Sequence, residues 1–154
     1  DNRVYDVEGG SLARQGKLLR LRVSGGRGLV TVKTPVPGEL ASPFKVRREI
    51  ETGVADPAAM AAALESVGFS QAWRYQKYRR EWTLGDAHIF LDEVPWGAWI
   101  EVEAEPERIE AIAASLGWGR DRWERGSYRE LHERHCAAQG KAVGDMVFES
   151  GGRG

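Results

Sequence analysis

From Lys45 to Glu51 the chain alternates two kinds of side chain. Lys45, Arg47, Glu49 and Glu51 fall on one parity, and Val46, Arg48 and Ile50 on the other. Alternate side chains of a strand share a face, so this stretch predicts a strand with one charged side. Leu19–Arg22, Thr31–Lys33, Lys77–Arg79 and Glu101–Glu103 repeat the pattern. A solvated sheet face, with charges paired across strands, would explain any one of them. The apolar positions opposite (Leu19, Leu21, Val32, Val46, Ile50 and Val102) must also be buried by something. Helices packed on that apolar side would leave the charges inside. The pattern therefore predicts strands closing into an antiparallel barrel with a charged lumen and an apolar exterior.

Seven strands are expected: Arg3–Val7, Leu18–Val23, Leu29–Thr34, Phe44–Thr52, Trp73–Thr83, His88–Asp92 and Trp99–Ala104. Ser24 to Gly28 is glycine-rich and reads as the turn of a hairpin. Three segments change to helical period. The first opens at Asp56-Pro57, carries Met60, Leu64 and Val67, and stops at Gly68. The second opens at Pro106, carries Ile109, Ile112 and Leu116, and stops at Gly117. The third begins with Ser127-Tyr-Arg-Glu130, a capping-box pattern, and continues through Leu131. The class is α+β, with no internal repeat.

The 154 residues fit one domain with a real core. Net charge is −1, which argues against a nucleic-acid partner bound by broad phosphate neutralisation. Charged residues still make up 29% of the chain, so local placement must carry any electrostatic role. The single Cys136 fits a reducing, cytoplasmic compartment. No apolar run is long enough to span a bilayer, and no membrane partner is expected.

Two chemical sets lie on the charged faces. The bases are Arg20, Arg22, Lys33, Lys45, Arg47, Lys77 and Arg79; the acids are Glu49, Glu51, Glu81, Asp92, Glu101 and Glu103. Phosphate oxygens suit guanidinium forks and ammonium groups. Hard divalent cations suit carboxylates, often one or two from the protein. Glu101 and Glu103 point the same way and can share a cation, which Asp92 can join. His132, His135 and Cys136 have helical spacing but lack a full ligand set for zinc. An unliganded helix is the expectation there. Gly25 to Gly28 lacks the Gly-Lys-Ser/Thr ending of a phosphate loop. The six tryptophans read mainly as packing residues, with Trp96 or Trp99 as candidates for stacking on a nucleobase.

The order of these motifs resembles a known family. Tyr5-Asp6, Leu19-Arg-Leu-Arg22, Thr31-Val-Lys33, Lys45-x-Arg-x-Glu-x-Glu51, Lys77-x-Arg79, Leu91-Asp-Glu-Val94, Gly97, Glu101-Val-Glu103 and Ser127-Tyr128 together resemble the CYTH family, the triphosphate tunnel metalloenzymes. The resemblance implies an eight-stranded antiparallel triphosphate tunnel. It implies that Arg20, Arg22, Lys33, Arg47 and Arg79 bind phosphates, and that Asp92, Glu101 and Glu103 bind Mg²⁺ or Mn²⁺. Lys45, Lys77, Glu49 and Glu51 match further tunnel positions. The family's first strand, Glu-x-Glu-x-Lys, has no counterpart in the sequence. About seven strands are therefore expected in a tunnel domain over residues 1–138, followed by a tail over 139–154. Val4 also stands where the family has a first aromatic. The leading functional expectation is metal-dependent hydrolysis of a triphosphate-containing small molecule. The alternatives are adenylate cyclisation and non-catalytic polyphosphate binding.

Overall fold

A computed structural model of the chain describes residues 1–38, 44 and 46–149. It divides into two compact units, Asp1–Gln76 and Lys77–Gly154. All strand pairing in both is antiparallel.

The first unit holds strands β1 (Asn2–Val7), β2 (Leu18–Ser24), β3 (Arg27–Pro35), β4 (Arg47–Val54) and β5 (Phe69–Tyr75), in the sheet order β4-β3-β2-β1-β5. Gly25 and Gly26, at φ 54° and 77°, make the two-residue turn between β2 and β3. Positive φ at both central residues matches the right-handed twist of the flanking strands, and glycine adopts it without strain. The expected hairpin is therefore present, with Ser24 opposite Arg27.

One face of this sheet is apolar. Tyr5, Leu19, Leu21 and Ala61 are buried together, with Val30, Val32, Val54, Met60, Leu64 and Phe69 packed around them. Ala61, Met60 and Leu64 come from helix α2 (Pro57–Ser66). Asp56 caps that helix by accepting from the Ala58 and Ala59 amides at 2.9 and 3.0 Å, and Pro57 supplies the preset first turn. Helix α2 thus covers part of the apolar side, while Val46 and Ile50 of the same parity remain 41 and 58% exposed.

A second helix, α1 (Ser11–Arg14), is too short for periodicity to reveal. It is organised from outside. Buried Asp6 accepts from the amides of Val7, Leu12 and Ala13 at 2.8 to 2.9 Å. Burial would push its carboxyl up, but these amides and the Arg14 charge hold it below the usual range.

The second unit holds β6 (Tyr78–Leu84), β7 (Ala87–Val94) and β8 (Gly97–Glu103), in the order β6-β7-β8. Helices α3 (Pro106–Ser115) and α4 (Tyr128–Ala138) follow. Both begin where the sequence expects, α3 with Pro106 in its first turn and α4 with a complete Ser127–Glu130 capping box. Beyond Ala138, Met146 is buried, and the ring of Phe148 lies 4.8 Å from that of Tyr78.

Two findings differ from expectation. The run Trp73–Thr83 is two strands, β5 and β6, separated at Gln76 and Lys77 and assigned to different sheets. This brings the described strands to eight. In the second unit, Trp82, Leu84 and Ile100 remain 41 to 50% exposed, so that part of the apolar face is open rather than helix-covered. No helix among the described residues is long and apolar enough to cross a membrane.

Candidate functional site

The polar face of the first sheet collects the expected bases. Register places Arg20 opposite Thr31, and Thr31 opposite Glu51. Arg20 is 6% exposed. It donates to Thr31 Oγ1 at 3.0 Å and to Tyr75 Oη at 3.3 Å, and Glu51 lies 3.5 Å away. Thr31 in turn donates to Glu51 at 2.6 Å. The Nε of Arg20 is buried without a hydrogen-bond partner. The Nε atoms of Arg3 and Arg108 are in the same state, and such a donor costs about 1–3 kcal/mol unless an oxygen, water included, takes the bond.

Arg22 is on the same face and donates to Asn2 Oδ1 at 3.0 Å. Lys33 pairs with Glu49, and Arg47 donates to the Gly16 carbonyl. Lys45 lies outside the described residues. Tyr75 stacks on Trp73 with centroids 4.7 Å apart, which fixes the phenol that meets Arg20.

The second unit builds a denser cluster around Asp92, which is fully buried. Asp92 Oδ1 accepts from Arg79 Nε at 2.7 Å. Its Oδ2 accepts from Lys77 Nζ, Arg79 Nη2 and the Tyr128 hydroxyl, all at 2.6 Å. Arg79 also pairs with Glu101, and Lys77 stands 3.7 Å from the same carboxylate. Rings complete the setting. The Arg79 guanidinium lies over Phe90 at 3.9 Å, and the Lys77 ammonium over Tyr128 at 4.8 Å.

The protonation states follow from these contacts. Burial alone would raise the Asp92 carboxyl, but Arg79, Lys77 and Tyr128 hold it well below the usual range. Burial pushes the Lys77 ammonium down, against the pull of Asp92 and Glu101. Burial would lower Arg79 as well, yet Asp92 and Glu101 keep it charged more firmly than usual. Burial and the Asp92 carboxylate raise the Tyr128 phenol, so its proton stays on.

Of the three residues expected to hold metal, Glu101 and Glu103 share one face of β8, opposite Phe90 and His88 of β7. Asp92 is on that face too, but both its oxygens are engaged by cations and a phenol. Among the described residues, no three His, Cys, Asp or Glu side chains stand close enough to hold a metal ion. Glu101 and Glu103 still fit a hard divalent cation by donor chemistry, because such ions often take only one or two protein carboxylates.

His132 is not part of this cluster. Trp96 donates to its Nδ1 at 3.1 Å, and its Nε2 lies 3.2 Å from the Gly144 carbonyl. This fixes the neutral tautomer with the proton on Nε2. The Trp96 ring stacks on His135 at 4.9 Å. Sequence reasoning missed Thr31, Tyr75 and Tyr128 as site residues. They are uncharged, and alternation of charge was the signal being followed.

With that geometry in view, the chain compares with known proteins as follows. The CYTH domain model matches residues 1–116, a span that includes strands of both units. A protein from Vibrio parahaemolyticus, provisionally assigned as an adenylate cyclase, is 25% identical, with a TM-score of 0.68 over 84% of this chain and 77% of its own. A protein from Pyrococcus horikoshii is 26% identical, with a TM-score of 0.71 over 87% and 82%. A conserved hypothetical protein from Pyrococcus furiosus is 20% identical, with a TM-score of 0.66 over 84% and 80%, and shares the fold. No curated protein matches the sequence.

Proposed function

The chain belongs to the CYTH family, and from that premise we propose that it binds a triphosphate and hydrolyses it with the help of a divalent cation. The observation that carries this reading is the Asp92 cluster. Two cationic side chains, Lys77 and Arg79, are held at fixed positions by a buried carboxylate whose own oxygens they saturate. Such an arrangement suits a site whose cations stand in place before the ligand arrives.

In this reading each unit offers its own cations to phosphate oxygens, Arg20, Arg22, Lys33 and Arg47 in the first and Lys77 and Arg79 in the second. Water attacks the terminal phosphorus, the bridging P–O bond breaks, and phosphate and diphosphate leave. Glu101 and Glu103 would hold Mg²⁺ or Mn²⁺, which when bound supplies charge neutralisation at phosphate oxygens. In this reading the arginines and lysines would neutralise the charge that develops in transfer, and no side-chain nucleophile is required.

A second reading is cyclisation of ATP, in which the ribose 3′-hydroxyl attacks the α-phosphorus and pyrophosphate leaves. The similarity to the Vibrio protein favours it. One experiment separates the two. The protein is incubated with tripolyphosphate and, separately, ATP, each with Mg²⁺ or Mn²⁺. Phosphate release from tripolyphosphate supports hydrolysis, and cyclic AMP plus pyrophosphate from ATP supports cyclisation. Tight tripolyphosphate binding with neither product would leave a binding module.

A further inference from the structure

Lys77 precedes β6 and lies outside the strand ladder. Its four-carbon stem is flexible. Its ammonium nonetheless has a defined position, and three side chains define it. Asp92 and Glu101 supply charge at 2.6 and 3.7 Å, and Tyr128 supplies a ring face at 4.8 Å. Tyr128 differs from the other two because it acts twice. Its ring lies against the ammonium while its hydroxyl donates to the same Asp92 oxygen that Lys77 engages. The capping box at Ser127 and Glu130 fixes the start of α4, and with it the residue that follows the cap.

We propose that Tyr128 is the positioning residue for Lys77: its ring holds the ammonium, and its hydroxyl tempers the pull of Asp92 so that Lys77 can turn to a phosphate oxygen. The inference rests on the reading that Lys77 binds substrate phosphate. Its physical basis is competition. Asp92 and an incoming phosphate both seek the Lys77 ammonium. Each further donor on Asp92 Oδ2 weakens the hold of that oxygen on Lys77. A cation–π contact, by contrast, tolerates the exchange of one anion for another, because the ring occupies a different side of the ammonium.

The test compares tripolyphosphate binding with Mg²⁺ in wild type, Tyr128→Phe, Lys77→Ala and the double variant, with melting temperature as a check on folding. Tyr128→Phe keeps the ring and removes the donor to Asp92. The expected result is a Kd roughly tenfold higher for Tyr128→Phe, the scale of a hydrogen bond to a charged group, and no further loss when it is added to Lys77→Ala. If Lys77→Ala binds like wild type, the phosphate role of Lys77 fails and this inference with it. If Lys77→Ala weakens binding and Tyr128→Phe does not, the positioning role alone is overturned. Equal losses from Tyr128→Phe with and without Lys77 would overturn it as well. A wild-type measurement stands beside these. The Lys77 Hε resonances should be shifted upfield by the Tyr128 ring and stay so when tripolyphosphate is bound. Their return to an ordinary lysine position on binding would show that Lys77 leaves the ring, contrary to the inference.

Discussion

At the residue scale, Asp92 decides most. A buried carboxylate with two cations and a phenol is stable only as a set, because removing one partner leaves the others uncompensated. Asp92→Ala is expected to cost about 3–5 kcal/mol of stability, the scale for breaking a buried pair. Chemical denaturation read by tryptophan fluorescence measures it, and a loss under about 1 kcal/mol would place the cluster among ordinary surface pairs. The pH dependence has a definite sign. Asp92 titrates lower in the fold than the roughly 3.9 of an unfolded aspartate. Below that pH the unfolded chain binds more protons, so the stability from Asp92 is complete above about pH 4 and drains away as pH falls further. Glu101 is different, with a side chain 42% exposed. Glu101→Gln and Glu103→Gln should therefore leave the melting temperature nearly unchanged while abolishing metal-dependent turnover. Near-wild-type activity of these variants at saturating Mg²⁺ or Mn²⁺ would remove them from the metal site.

At the element scale, what was legible in the sequence was what local chemistry dictates. Gly25-Gly26 demands its hairpin, Asp56-Pro57 opens α2, and Ser127 with Glu130 opens α4. The parity of Arg20, Arg22, Lys33 and Arg47 announced a common polar face, and the register confirms it. The break between β5 and β6 was not legible. Trp73, Tyr75, Lys77 and Arg79 continue the alternation across it, and neither Gln76 nor Lys77 interrupts a strand by its own chemistry. Helix α1 escaped because its organiser, Asp6, belongs to the preceding strand. Asp6→Ala is accordingly expected to fray α1 and cost about 1.5–3 kcal/mol, the scale of hydrogen bonds to a charged group; amide exchange at Leu12 and Ala13 reports it directly. The polar hubs were hidden for a related reason. Tyr128 meets Asp92 across 36 residues of sequence, and Arg20 meets Tyr75 across 55, distances at which single-chain periodicity carries no information. Helix α4 also carries His132, which burial holds below the usual histidine range. The unfolded imidazole titrates near 6.5, so the stability from neutral His132 is intact above that pH and declines as pH falls below it. The folded imidazole goes on accepting from Trp96 below that pH until it protonates within the fold, a step that an NMR titration of the His132 ring follows. A ring that titrates above the ordinary histidine range would overturn the sign.

At the scale of the whole molecule, charge is locally dense and globally balanced. The net charge of −1 conceals a separate set of cations in each unit, each paired with acids from that unit's own sheet. Such pairing keeps the cations in place without ligand, at the cost of competition when an anion binds. A polyanion must displace Glu51, Glu49 or Glu101 from their partners, and a divalent cation that takes up the displaced carboxylates would ease the exchange. Tripolyphosphate and Mg²⁺ should therefore stabilise the protein more together than the sum of each alone. The size follows from linkage. A ligand at a hundred times its Kd adds about 2.7 kcal/mol, which for a chain of this length raises Tm by about 5–10 °C. Arg20→Lys in the first unit and Lys77→Ala in the second test whether both sets take part. Arg20→Lys keeps the charge but loses the fork and the unpartnered Nε. Each variant is expected to shrink the shift by at least half. A reduced shift with only one of them would confine phosphate binding to that unit. A full shift with both would mean that these cations serve the fold and not the ligand.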